Sequence, residues 1–168
     1  MTAPDKVRLP VKYWKAALQM SRGLERPNFL PLIALAEKSA RALRDDMVTT
    51  AHSRGFTELQ PLHNPVFATL PPEGARAVDM AHRAGITRQS MGEAIRDLAA
   101  HGIVEMVPDP ADGRAKIVMF TEYGRKVASS GYSHIIEIDA LVREKFGDRD
   151  VDATYRVLQG VMELLAEE

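Results

Sequence analysis

The sequence predicts a mainly α-helical protein carrying one small β-hairpin, and three observations lead there. Residues 88–100 repeat apolar side chains at helical spacing, two short β-prone runs follow, and a capped helix opens directly after the second run. This order of helix, hairpin and helix occupies residues 85–125, GITRQSMGEAIRDLAAHGIVEMVPDPADGRAKIVMFTEYGR.

Each element has a local cause. Thr87 is the expected N-cap, because its hydroxyl can accept from a free amide of the first turn. Met91, Ala94, Ile95 and Leu98 fall at i, i+3, i+4 and i+7 and make one apolar stripe. Gly102 stands where a left-handed helix end is expected. The opposite face carries Gln89, Gly92, Glu93, Arg96 and Ala100, flanked by Arg88 and Ser90. Gly92 costs roughly 1 kcal/mol against Ala in a helix interior, and close approach of the backbone to a groove edge is one explanation for it. Taken alone, the segment also reads as an ordinary amphipathic helix with a solvated face.

The hairpin adds the function class. Residues 103–107 and 116–120 are β-prone, and the PDPADGRA between them is rich in turn formers, so Asp109, Asp112 and Arg114 fall at a hairpin tip. Thr121 caps the next helix, and Glu122 suits the dipole of its first turn. A helix followed by a two-stranded wing offers one face to a DNA groove and a basic tip to the backbone beside it.

Residues 85–125 closely resemble the MarR family of winged helix-turn-helix regulators. The resemblance rests on Gly85-Ile86-Thr87, Leu98, Gly102-Ile103-Val104-Glu105, Asp109-Pro110-Ala111-Asp112-Gly113-Arg114 and Phe120-Thr121-Glu122-Tyr123-Gly124-Arg125. It covers about a quarter of the chain, with Phe120 where the family usually has Leu. The resemblance implies a winged helix-turn-helix DNA-binding lobe over residues 55–120 and a helical dimerisation lobe from residues 29–54 and 121–168; residues 1–28 read as an N-terminal extension with an extra helix. It also implies a symmetric homodimer on a pseudo-palindromic operator, repression as the usual mode, and release by small aromatic or phenolic effectors.

Composition agrees with a single globular domain. The chain has 168 residues, 45% of them hydrophobic and 27% charged, which is ordinary for a soluble protein. It has no cysteine, so disulfides and thiol-based sensing are excluded. No apolar run approaches a membrane span, and MTAPDKVRLP lacks the apolar region of a signal peptide, so a cytoplasmic protein without a membrane partner is expected. The net charge is −1, unevenly spread. Residues 1–54 carry ten Lys/Arg against five Asp/Glu, residues 121–168 six against ten, and residues 82–116 five against five. A DNA footprint must therefore come from placement, with the acidic C-terminal part turned away from DNA.

The rest of the chain reads as helices. VKYWKAALQMSRGL, with Trp14, looks helical; residues 32–53 form a helix with Leu32, Ala36, Leu43 and Met47 at near-heptad spacing. Residues 62–70 suggest a short helix with Pro65 in its first turn, and residues 74–84 the first helix of the helix-turn-helix, with Ala75, Val78 and Ala81 inward. A long helix runs to Phe146, Gly147 breaks it, and Asp150 or Asp152 caps a last helix with Val157, Val161, Leu164 and Leu165 on one face. The terminal helices have more apolar surface than the lobe over residues 55–120 can cover, which again predicts a dimer.

The expected DNA contacts are Thr87, Arg88, Gln89, Ser90, Arg96, Arg114 and Lys116. Gln89 can read adenine bidentately, Ser90 can meet phosphate or bond back to its helix, and Lys116 neighbours phosphate. Arg114 resembles the family's minor-groove arginine, with an ion pair to Asp112 as the alternative that shapes the turn. Glu93 would repel phosphate, and is read as spaced clear of the backbone rather than as a cytosine-directed acceptor. Phe29, His63 and Phe67 are the candidate effector-binding residues, with Trp14 or Arg41 nearby; core packing is their alternative. His52, His63, His82, His101 and His134 show no i, i+3 or i, i+4 pairing, so neither metal nor cofactor is expected. No P-loop, GxGxxG, HExxH or GxSxG is present, so no catalytic residue is assigned. The second class of function is a winged-helix protein-interaction module that does not bind DNA.

Overall fold

The computed structural model of the chain describes residues 30–166. The elements are α1 (Leu32–Ser53), a one-turn 3-10 helix (Pro61–His63), α2 (Asn64–Thr69), α3 (Ala77–Ala84), α4 (Arg88–Ala100), β1 (Val104–Asp109), β2 (Asp112–Phe120), α5 (Glu122–Phe146) and α6 (Asp148–Ala166). The expected mainly α fold with a hairpin wing is what forms. Two compact units divide the chain between Ala42 and Leu43. In the first unit the start of α1 exposes Leu32, Ile33 and Leu35; the extension before residue 30, with Trp14 and Phe29, lies outside the described residues.

In the second unit α4 is the centre of the core. Its predicted stripe, Met91, Ala94, Ile95 and Leu98, is buried throughout. Against it pack Val66 and Leu70 of the α2 segment, Met80 and Ala81 of α3, Ile103 and Val104 after α4, and Val118 and Phe120 of β2. Burying each large side chain contributes about 1.5–3 kcal/mol. Thr87 caps α4 by accepting from the Ser90 amide at 3.0 Å. The helix ends at His101, and Gly102 follows at φ +69°, the left-handed conformation a glycine there serves.

Three readings need correction. Residues 74–76 are not helical: the Ala75 amide and carbonyl pair with Val118 at 3.1 and 2.8 Å, a one-residue third strand on the hairpin. Helix α3 therefore begins at Ala77, and its phase turns Met80 and Ala81 inward while Val78 is exposed. Residues 62–70 split, because the 3-10 turn Pro61–His63 precedes the α-helical Asn64–Thr69. The last helix starts at Asp148, directly after Gly147, so neither Asp150 nor Asp152 is its cap.

The start of α5 is fastened to the turn after α4. The Thr121 hydroxyl donates to the Gly102 carbonyl at 2.6 Å and accepts from the Gly124 amide at 2.9 Å. The Thr121 amide bonds the Ile103 carbonyl at 3.1 Å. A Cβ on Gly124 would overlap that same carbonyl, so the backbones meet only because the residue is glycine. No helix among the described residues is long and apolar enough to cross a membrane.

Candidate functional site

Helix α4 turns its polar face outward. Thr87, Arg88, Gln89, Ser90, Glu93 and Arg96 are all exposed, on the side opposite the buried stripe. Thr87 Oγ1 and Ser90 Oγ lie 2.8 Å apart, so the Ser90 hydroxyl is partly used within the first turn. Gln89 Nε2 donates to Glu93 Oε1 at 3.1 Å, one turn on. At Gly92, Arg96 folds back so that its Nη1 lies 3.3 Å from where a Cβ would stand, a contact that the free end of the arginine can relieve.

The wing is built differently from the sequence expectation. Strands β1 and β2 pair antiparallel from Val104↔Phe120 to Pro108↔Lys116, and then the register breaks to Asp109↔Asp112. The tip is thus only Pro110 and Ala111, and residues 113–115 fall outside the paired positions. Arg114 stands on that unpaired stretch and is exposed; Lys116, at the last regular pair, is exposed as well. The alternative, an Arg114–Asp112 ion pair, is not formed among the described residues: Asp112 Oδ1 instead accepts the Arg114 backbone amide at 3.1 Å. Asp112 therefore shapes the wing through the backbone and leaves the guanidinium without an ion pair among the described residues.

The residue that ties the wing down is Arg76, which no pattern in the sequence singled out. Its Nε donates to Asp109 Oδ2 at 2.7 Å, and a second nitrogen lies 3.7 Å from Asp112 Oδ2. Asp109 Oδ1 accepts the Ala111 amide at 2.8 Å. The Ala111 amide, and then the Arg76 guanidinium, hold the Asp109 carboxyl below its ordinary range. The hairpin tip is thereby linked to the residue that opens α3.

A cavity of about 290 Å³ lies among the second half of α1, the segment from Phe56 to Ala68, and α5. Its size is near the lower end for small-molecule sites, roughly 300–1,000 Å³. Met47, Val48, Ala51, Phe56, Leu59, Phe67, Val127 and Ile135 make it mostly apolar. Phe67 stacks on Phe120 at 5.8 Å between centroids, so it serves the core as well as the cavity wall. His63 also does both: it is 1% exposed, its Nδ1 accepts the Gln60 amide at 3.1 Å, and its Nε2 donates to Asp97 Oδ2 of α4 at 2.8 Å. Burial, opposed by Asp97, lowers its pKa, and a neutral ring fits an Nδ1 that accepts.

Several other polar groups of the cavity are engaged. Arg54 bonds both carboxylate oxygens of Glu137, at 3.0 and 2.7 Å, and reaches the Ser130 carbonyl at 2.8 Å. His134 lies between Asp46 at 2.6 Å and Glu137 at 3.1 Å. Among the described residues the buried Asn64 Nδ2 has no hydrogen-bond partner, and Arg44 makes no ion pair. The sequence pointed to neither, because only the fold brings them to one cavity.

No protein-family model and no curated protein sequence matches the chain. Its fold, however, matches solved structures. A MarR family transcription regulator superimposes with a TM-score of 0.67 at 16% identity, over 94% of this chain and 93% of that one. The transcriptional repressor CouR, bound to a 23-mer DNA duplex, gives 0.65 at 20% identity, over 79% and 92%. The PcaV regulator of Streptomyces coelicolor, in complex with its natural ligand, gives 0.57 at 18% identity, over 82% and 98%. The chain has the winged-helix fold of MarR family transcription regulators.

Proposed function

We propose that the chain is a MarR-type transcriptional regulator, not an enzyme. In this reading it works in the cytoplasm as a homodimer, binds double-stranded DNA sequence-specifically through α4 and the wing, and acts as a repressor released by a small effector. The observation that carries the reading is the placement of cations. Arg88, Arg96, Arg114 and Lys116 are exposed and make no ion pair among the described residues, while Arg76, Asp109 and Asp112 hold one another. Unpaired cations beside a helix in the major groove supply phosphate contacts, and the first turn of that helix supplies base contacts. CouR, of the same fold, is bound to a duplex.

Fluorescence-anisotropy titrations test this, using the DNA upstream of the protein's own gene and a scrambled duplex, each at several salt concentrations. Tight binding to the first, weaker binding to the second and a steep salt slope are expected. Arg114→Ala should flatten the slope by about one unit for each phosphate it no longer neutralises in each half of the dimer. Gln89→Ala should instead lose roughly 1–3 kcal/mol of discrimination at one base pair per half-site. Salt-insensitive or absent binding by the parent would favour the protein-interaction module, a reading that the five-against-five charge balance of residues 82–116 keeps open.

The effector is proposed to occupy the cavity beside Phe67. An apolar planar body fits its walls, an anionic group suits Arg44, and a carbonyl or hydroxyl acceptor suits Asn64 Nδ2. PcaV was solved with its natural ligand. A thermal-shift screen of phenolic carboxylates should find a compound that stabilises the protein and weakens DNA binding, with a coupling on the order of 1–3 kcal/mol. A screen in which no compound does either counts against an effector of this class.

A further inference from the structure

The acidic residue in the middle of the exposed face of α4 bears on DNA reading. Glu93 is exposed, and a carboxylate there is repelled by phosphate unless something offsets it. No cation neutralises it: among the described residues it makes no ion pair, and Arg96, three residues on, lies folded over Gly92. Its hydrogen bond is the one it accepts from Gln89 Nε2 at 3.1 Å. Most of the acceptor capacity of the carboxylate is therefore free on the outer face.

On the major-groove edge only two groups donate to an acceptor of this kind, the exocyclic amines of cytosine and adenine, and acceptor-only carboxylates pair with cytosine N4. Guanine O6 and thymine O4 present lone pairs and would repel it. The bond from Gln89 has a second consequence. It uses one of the two amide protons and sets which way the amide faces, leaving the carbonyl and one N–H for a neighbouring base, the pair of groups that matches adenine N6 and N7.

We infer, in place of the carboxylate merely spaced clear of the backbone that the sequence alone favoured, that Gln89 and Glu93 form one reading unit on α4, in which Glu93 is a specificity-determining residue that accepts from the exocyclic amine of a cytosine and orients the Gln89 amide beside it. This rests on the DNA-binding reading. It assigns Glu93 two effects: it weakens binding to DNA in general, through charge, and rejects guanine and thymine at one position in particular.

The test is selection of duplexes from a randomised library by the full-length parent, Glu93→Ala, Glu93→Gln and Gln89→Ala, followed by anisotropy titrations of the enriched and scrambled duplexes. Thermal melts of all four check that the surface changes leave the fold intact. The parent should enrich cytosine at one position of each half-site. Glu93→Ala should lose that preference by about tenfold or more, blur the adjacent position read by Gln89, and bind the scrambled duplex more tightly. Glu93→Gln, which gains a donor, should accept guanine or thymine there. Gln89→Ala should lose the adjacent position and keep the cytosine. If Glu93→Ala keeps every preference of the parent while all affinities rise evenly, Glu93 is only a repulsive charge and the inference is overturned. If the parent enriches no sequence, the DNA-binding reading itself fails, and the inference falls with it.

Discussion

Two histidines at the cavity are pulled in opposite directions, and each makes a pH prediction. For His134 burial lowers the pKa, but the bonds to Asp46 and Glu137 outweigh it and the net shift is upward. A base whose folded pKa is raised contributes stability that is complete below the ordinary imidazole value, about 6.5, and is lost as the pH rises through the folded value. His63 is lowered, so its contribution is present above about pH 6.5 and is lost as the pH falls from there toward its folded value. NMR titration of the two rings should place His134 above and His63 below the ordinary value; the reverse order would remove the argument. His63→Phe should cost roughly 1–3 kcal/mol in denaturant unfolding, because it strands the Gln60 amide and removes the partner of Asp97. His63 and Phe67 were legible as candidates because they flank Pro65 in one short segment. Asp97, Asn64, Arg44 and Arg76 were not, since their partners or shared cavity lie far off in sequence and periodicity carries no information about such pairs.

The elements were legible where their causes are local. Helix α4 was readable from Thr87 to Gly102, because cap, stripe and terminal glycine all sit within the segment, and the start of α5 was readable from Thr121. The misreadings have tertiary causes: Ala75 is extended because β2 takes its amide and carbonyl, and the wing strands run longer because Asp109 and Asp112 pair across a register break. Two predictions belong here. Gly124→Ala should destabilise by about 1–3 kcal/mol or more, since the added methyl overlaps the Ile103 carbonyl in a packed join. Unfolding midpoints within experimental error of the parent would contradict that packing. Arg76→Ala should free the wing tip from α3 without disturbing α4. Amide hydrogen exchange should then quicken across residues 109–116 and stay slow at Met91 and Leu98; uniform exchange across both would mean that the Arg76–Asp109 pair anchors nothing.

At the scale of the molecule, the apolar side chains of α5 and α6 need a cover. Leu141, Phe146, Met162, Leu164 and Leu165 are exposed, Leu165 to 72%, more large apolar side chains than scattered surface residues account for. The two helices are held as a pair by Arg143, which reaches Asp139, Asp148 and Asp152 at 2.9, 3.2 and 2.9 Å across the Gly147 break. A fixed helical pair with an uncovered face suits a second copy of the chain, because a two-fold axis lets the same face cover itself. It would also set two α4 helices to enter successive major grooves, roughly 10 base pairs apart. The expected species is a dimer at micromolar concentration by light scattering, with residues 29–54 and 121–168 at its interface. Leu164→Asp should shift it toward monomer and lower the affinity for a two-half-site duplex far more than for a single half-site, because only the paired molecule engages both halves. A monomeric parent, or a Leu164→Asp variant that dimerises and binds the long duplex like the parent, would remove α6 from the interface.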